Sequence, residues 1–192
     1  ASGLPYLNLG VLYEQQNRLA EALEMLQIAR TKNVGNHGLL LSNLALVQLE
    51  LGRSKEAEET ANKAISKDPG LYKPYDILAV AALKSGDLGR AEAVLRKVLA
   101  QFPQRSEVDV RLATVYEKQN RLAEALELLA RALTLREVNR APVYNQLGIV
   151  YWRLKRYPES IQAAQQAISL DPGLLDAYLT LGITYEDSGQ QQ

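Results

Sequence analysis

The stretch QNRLAEALE at Gln16–Glu24 occurs again, unchanged, at Gln119–Glu127. A second stretch, AISKDPGL at 64–71, returns as AISLDPGL at 167–174. Both pairs are 103 residues apart, since 119 − 16 and 167 − 64 each give 103. Two long matches at one offset indicate that the chain is built from internal repeats.

A shorter period lies inside each copy. Pro69 follows a helical pattern, and Pro103 follows the next one 34 residues later. Three such units and one extra residue make 103. Within a unit, apolar residues recur at helical spacing from Leu40 to Leu51, and Gly52 interrupts them. A second helix is predicted from Ser54 to Lys67, ending at 68–70 because proline cannot continue it. Each unit is therefore predicted to be a pair of helices.

Small residues occupy one position in each predicted helix, which favours close packing between helices. The first helices carry Gly10, Ala45, Ala79, Ala113, Gly148 and Gly182, and the second helices carry Ala22, Ala57, Ala91, Ala125 and Ser160.

Three units share an aromatic, Leu-Gly, Tyr pattern that resembles the tetratricopeptide repeat. It reads Tyr6-x2-Leu9-Gly10-x2-Tyr13, and it returns from Tyr144 to Tyr151 and from Tyr178 to Tyr185. The resemblance implies an all-α fold, a right-handed superhelical solenoid of antiparallel helix pairs with five full repeats and one half repeat. These would occupy residues 3–37, 38–71, 72–105, 106–140, 141–174 and 175–189, as one solenoid domain and a fragment of a longer protein.

Composition argues against several classes of partner. The chain has 22 basic and 22 acidic residues, whereas nucleic-acid binding relies on an excess of Lys and Arg. No apolar run is long enough to cross a bilayer, so membrane insertion is not expected. The absence of cysteine fits a reducing cytosol, which is slightly favoured, but a periplasmic location is compatible too.

Catalysis and cofactor binding are not expected. His37 is the only histidine and lies in a Gly/Asn-rich turn, where a solvated side chain is typical. No cysteine is available as a nucleophile or as a zinc ligand. We therefore predict no catalytic residues, no metal site and no cofactor.

The resemblance implies that the first helices line a concave groove that binds a partner protein or peptide. The positions expected to face it are Leu7, Asn8, Val11, Asn43, Leu46, Leu49, Val80, Leu83, Val110, Arg111, Asn145, Ile149 and Trp152. Exposed apolar patches mark interfaces, and Trp152 is the only tryptophan. The alternative is that the apolar members are ordinary core, which applies least to Leu49, Leu83 and Trp152.

The favoured function is a non-catalytic scaffold for protein–protein interaction. Two alternatives stay open: the docking arm of a larger enzyme, such as a glycosyl- or sulfotransferase, and a component of a secretion or envelope-assembly complex. Self-association is a further expectation, because a sixth unit with one helix leaves Tyr178, Leu181 and Tyr185 partly uncovered.

Overall fold

The computed structural model describes residues 2–32, 34–136 and 138–189, and its regular elements there are eleven α-helices. In chain order they are α1 Leu4–Gln15, α2 Leu19–Arg30, α3 His37–Glu50, α4 Ser54–Lys67, α5 Tyr72–Lys84, α6 Leu88–Gln101, α7 Ser106–Lys118, α8 Leu122–Thr134, α9 Arg140–Arg153, α10 Tyr157–Leu170 and α11 Leu175–Asp187. The all-α prediction is confirmed, and α4 has the predicted bounds.

The helices other than α6 belong to two compact units, one ending at Val94 and the other beginning at Leu95, and this boundary falls within α6. In the first unit, α1 packs on α2 and α3 on α4, while the first helices α1, α3 and α5 also contact in sequence. In the second unit, α7 packs on α8 and α9 on α10, and α11 contacts both α9 and α10. Consecutive helix pairs and the repeat count agree with the sequence, whereas the assignment of all repeats to one domain stays a prediction.

The turn inside each helix pair uses a residue with positive φ at one fixed place. Glycine tolerates this conformation best because it has no Cβ. Gly52 and Gly86 have φ of 77° and 76°, and Asn17, Asn120 and Lys155 adopt φ of 58°, 62° and 59° at the equivalent place. The positive-φ position of this turn therefore accepts Asn and Lys as well as Gly.

The small residues pack as the sequence predicts. Ala22, Ala57, Ala91, Ala125 and Ser160 are all fully buried. A Cβ added at Gly10 would lie 2.7 Å from Leu26 Cγ, so no larger residue fits without a shift. At Gly182 in α11 nothing lies within 4 Å of such a Cβ, and Tyr178 is 47% exposed. One side of α11 is thus uncovered by the described residues, and self-association through it stays a prediction.

Candidate functional site

A cavity of about 340 Å³ lies between α9 and α11, the first helices of the last two repeats. From here on we call it the α9–α11 cavity. It is lined by Asn145, Gln146, Ile149 and Trp152 of α9 and by Asp176, Leu179, Thr180 and Ile183 of α11. Both sets recur every three or four residues, which places each set on one face of its helix. The cavity therefore brings together three of the thirteen predicted groove residues, namely Asn145, Ile149 and Trp152.

Polar side chains form the buried part of the cavity lining. Asn145, Gln146 and Thr180 are each no more than 8% exposed. The Thr180 hydroxyl lies 2.9 Å from both Asn145 Oδ1 and the Asp176 carbonyl oxygen, and its single proton is donated to one of them at a time. These contacts connect α9 to α11 at the position where the cavity begins.

Gln146 carries an unpaired donor. Gln146 is 7% exposed, yet its Nε2 has no hydrogen-bond partner among the described residues. Buried polar atoms are paired in most proteins, and leaving one unpaired costs about 1–3 kcal/mol. Because Gln146 lines the cavity, a bound group with an acceptor oxygen would remove this cost.

The rest of the lining is apolar and accessible. Leu179 is 63% exposed and Ile183 is 46% exposed, while Ile149 and Trp152 are half-buried. The Trp152 indole Nε1 donates to Asp187 Oδ2 at 2.6 Å, which holds the ring against α11. An oriented indole beside two exposed aliphatic side chains is typical of an anchor surface for a partner side chain.

Two other predicted residues of this unit lie elsewhere. Val110 and Arg111 of α7 line a separate cavity of about 270 Å³, together with Ser106, Glu107, Asn139 and Pro142. The second unit therefore divides its predicted groove residues between two cavities.

In the first unit, the structure corrects the prediction that Leu7 and Leu49 face a groove. Each is only 3% exposed and belongs to a hydrophobic core cluster, Leu7 with Leu26 and Leu49 with Ile77. Helices of the next repeat cover these positions, so a partner has no access to them. Leu49 in particular is core, although its place in the repeat favoured the groove.

The remaining predicted residues of the first unit differ in accessibility. Asn8 is exposed, and Val11, Leu46, Val80 and Leu83 are half-buried. Val11, Leu46 and Val80 pack against the core clusters, as the alternative interpretation had it.

Asn43 is buried, and its side chain already has a partner inside the chain. It is 8% exposed, and its Oδ1 accepts a hydrogen bond of 3.0 Å from Lys73 Nζ. The amide oxygen that could have bound a peptide is thus occupied by a lysine of the next repeat.

Sequence reasoning missed two contacts of the α9–α11 cavity. Thr180 was not among the predicted groove residues, yet its hydroxyl lies at hydrogen-bond distance from Asn145 Oδ1. Asp187 was not considered, although it accepts from Trp152. Both pairs are 35 residues apart, so the repeat length could have suggested them.

Neither a metal-binding cluster nor a membrane-spanning helix is found among the described residues. No group of three or more His, Cys, Asp and Glu side chains there is arranged to hold a metal ion. A membrane-spanning helix needs a length and an apolarity that no helix in residues 2–32, 34–136 and 138–189 reaches.

Comparison with known families gives one consistent result along the chain. Three family models, each described as tetratricopeptide repeat, match residues 7–72, 76–97 and 104–172. Together they include α1 to α10, apart from residues 4–6 of α1, 73–75 of α5 and 98–101 of α6.

One curated protein and two solved TPR structures are similar to this chain. The chain is 31% identical over 127 residues to cellulose synthase operon protein C of Pseudomonas fluorescens, covering 66% of this chain and 10% of that protein. TTC0263, a thermophilic TPR protein of Thermus thermophilus, superposes with a TM-score of 0.78 at 22% identity, covering 95% of this chain and 98% of that one. YrrB, a TPR protein with an unusual peptide-binding site, gives a TM-score of 0.62 at 19% identity, covering 92% and 90%.

These structural likenesses concern the fold. The chain spans between 10% and 34% of the length of the curated relatives that it matches.

Proposed function

The chain belongs to the tetratricopeptide-repeat family, and on that premise we propose that it is a non-catalytic scaffold that binds a segment of another protein in the α9–α11 cavity. The repeat fold supports the coarse function, protein interaction. The choice of this cavity is supported by its accessible apolar lining and its buried polar groups.

The observation that carries the proposal is the unpaired Gln146 amide in a partly apolar cavity. A peptide segment supplies the two groups that this lining can bind, an apolar side chain and a hydrogen-bond acceptor. Its side chain can bury apolar area against Trp152, Leu179 and Ile183, and its backbone carbonyl can accept from Gln146 Nε2. The peptide-binding site in the name of YrrB adds support, because that protein shares the fold.

The test uses Trp152 as its own reporter, since it is the only tryptophan in the chain. Peptides are selected from a random display library on the purified protein, and each selected peptide is titrated while tryptophan emission is recorded. Peptides that bind the α9–α11 cavity are expected to change that emission.

Variants then locate the binding site. Trp152→Ala is expected to weaken binding of the selected peptides about tenfold or more, as truncation of an aromatic anchor does. Leu154→Ala is the matched control, because Leu154 follows α9 directly, is 38% exposed and does not line the cavity. The proposal would be wrong if peptides selected on the folded protein bound both variants equally, as measured by fluorescence anisotropy of labelled peptides.

A second candidate function is favoured by the coverage of the relatives. Because the chain spans 10% of cellulose synthase operon protein C, we propose as the alternative that it is a docking arm within a longer protein, such as a transferase or an envelope-assembly component. In that case the segment bound in the α9–α11 cavity would belong to the same assembly. Cross-linking mass spectrometry on the parent protein in its native cells, with Trp152→Ala as control, distinguishes an arm from an independent scaffold.

A further inference from the structure

The 103-residue repeat gives the α9–α11 cavity an internal counterpart in the first unit. Subtracting 103 from the α9 lining residues gives Ser42, Asn43, Leu46 and Leu49 of α3. Subtracting 103 from the α11 lining residues gives Lys73, Asp76, Ile77 and Val80 of α5. The chain therefore contains this site twice, a first version between α3 and α5 and a second version, the α9–α11 cavity, and the two versions differ in charge.

In the first version, a lysine of the chain fills the site. Lys73 Nζ donates to Asn43 Oδ1 at 3.0 Å, so an ammonium group lies on the buried amide. Lys84 is the last residue of the same helix, α5, and follows Lys73 by 11 positions, since 84 − 73 = 11.

In the second version, both lysines are replaced by acids. Asp176 stands at the position of Lys73, and Asp187 stands at that of Lys84. Gln146 stands at the position of Asn43, and its Nε2 is unpaired. The internal cation that the first version supplies is thus missing from the second, where a carboxylate takes its place.

The residues that line the cavity include no basic side chain. Asp176 is the charged member of the lining, and α11 carries Asp176, Glu186 and Asp187 but no basic residue. The neighbouring Arg153 of α9 donates to Glu117 Oε1 at 2.5 Å and to Asn120 Oδ1 at 3.3 Å, which directs its guanidinium to α7 and the turn after it. The cavity is therefore acidic at both ends and apolar between them.

We propose that the α9–α11 cavity takes an extended segment in which an apolar side chain lies between two basic residues, a proposal that rests on the proposed function. The apolar side chain contacts Trp152, Leu179 and Ile183. The two basic side chains pair with Asp176 and Asp187, and a backbone carbonyl accepts from Gln146 Nε2.

Helix geometry sets the spacing of the basic residues. Asp176 and Asp187 are 11 residues apart, since 187 − 176 = 11, which is about 16 Å along a helix. An extended chain advances about 3.3 Å per residue, so basic residues four positions apart are separated by about 13 Å, and their long flexible side chains cover the remaining distance. The expected pattern is Lys or Arg, any residue, an apolar residue, any residue, and Lys or Arg.

Three synthetic peptides test this pattern. Each has nine residues, capped ends and a central Leu, with Lys, Gln or Glu two positions before and after it, and Ser or Gly elsewhere. Binding is followed by Trp152 emission at low and at physiological ionic strength. The Lys peptide is expected to bind about fivefold more tightly than the Gln peptide, and the Glu peptide least tightly. The preference should shrink as salt screens the charges.

Variants of the acids separate charge from packing. Asp176→Asn with Asp187→Asn is expected to remove the preference for Lys while the Gln peptide binds as before, since Asn keeps an acceptor for Trp152 Nε1. The charge-matched control is Glu59→Gln with Glu127→Gln, two exposed acids outside the cavity.

Asp176→Lys installs the lysine of the first version. It is expected to weaken the Lys peptide more than tenfold, because the new ammonium would lie next to the Gln146 amide as Lys73 lies next to Asn43. Thermal unfolding followed by circular dichroism checks that each variant folds.

The outcomes distinguish this inference from the proposed function. Loss of the Lys preference in the double Asn variant supports it. Equal binding of the three peptides would overturn the charge pattern and leave the proposed function standing. If none of them changed Trp152 emission, the pattern would also be overturned, and the display selection would decide the proposed function separately.

Discussion

Leu49 and Trp152 occupy the same place in the two copies of the 103-residue repeat, yet one is core and the other lines a cavity. Leu49 is 3% exposed and shares a core cluster with Ile77 of the next repeat. The residue equivalent to Ile77 is Thr180, which is smaller and hydrogen-bonds to Asn145. The comparison teaches that a position in the repeat does not determine its exposure; the facing residue of the next repeat does.

The positions that hold the helices together behave differently. Ala22 and Ala125 are 103 residues apart, and both are fully buried. Ala64 and Ala167 are likewise both fully buried. The two copies thus share a packing frame and differ where first helices of neighbouring repeats face each other.

The largest expected effect separates Leu49 from Trp152. Leu49→Glu places a carboxylate in a closed apolar cluster, so we expect a loss of about 3–5 kcal/mol in the free energy of unfolding. Trp152→Glu, at the half-exposed equivalent, is expected to cost about 1 kcal/mol. Chemical denaturation followed by circular dichroism measures both. Equal losses of unfolding free energy for the two variants would contradict the view that Leu49 is core and Trp152 lines an accessible cavity.

The second prediction tests the shared frame. Ala125→Leu adds volume where Ala125 is fully buried, and overpacking of this kind costs about 1–3 kcal/mol. Ala22→Leu should cost a similar amount, because its position in the other copy is equally closed. Ala123→Leu is the control, since Ala123 is exposed on the same helix as Ala125. The melting temperature should fall for the first two variants and stay unchanged for the third; an unchanged transition for Ala125→Leu would contradict its placement.

The fold could be predicted from the sequence because its determinants are local and repeated. The Asp68-Pro69-Gly70 stop and the small residue in each helix fix the helix bounds and their close approach, and α4 has the predicted limits. The candidate site could be predicted only in part. Asn145, Ile149 and Trp152, which were predicted to face a groove, line the cavity, and their role in binding stays a prediction.

What the sequence did not reveal depends on pairs of residues from different repeats. The burial of Leu49 requires Ile77, and the pairing of Asn43 requires Lys73. In both pairs one residue lies on α3 and the other on α5. The periodicity of a single helix therefore carries no information about these contacts. The internal repeat does carry it, once the same two positions are compared in both copies.

The smallest expected effect concerns a third position where the copies differ. Asp109 of α7 stands where the first copy has Tyr6. It is fully buried and paired with Arg131, but its Oδ2 has no partner among the described residues. Burial raises the pKa of the Asp109 carboxyl above its ordinary 3.8, and the Arg131 guanidinium opposes this only in part.

The sign of the pH dependence follows from that direction. Between pH 3.8 and the raised pKa, the folded protein keeps a proton that the unfolded chain has released, so the contribution of Asp109 to stability falls as the pH rises through this window. Asp109→Asn keeps an acceptor for Arg131 without a charge. We therefore expect the stability of the variant relative to the wild type to increase as the pH rises above 3.8, by a few tenths to about 1 kcal/mol in all. Urea unfolding at several pH values measures the difference, with Asp171→Asn, an exposed acid in the same unit, as control. A variant that lost stability relative to the wild type over this range would show that the Arg131 pairing outweighs burial.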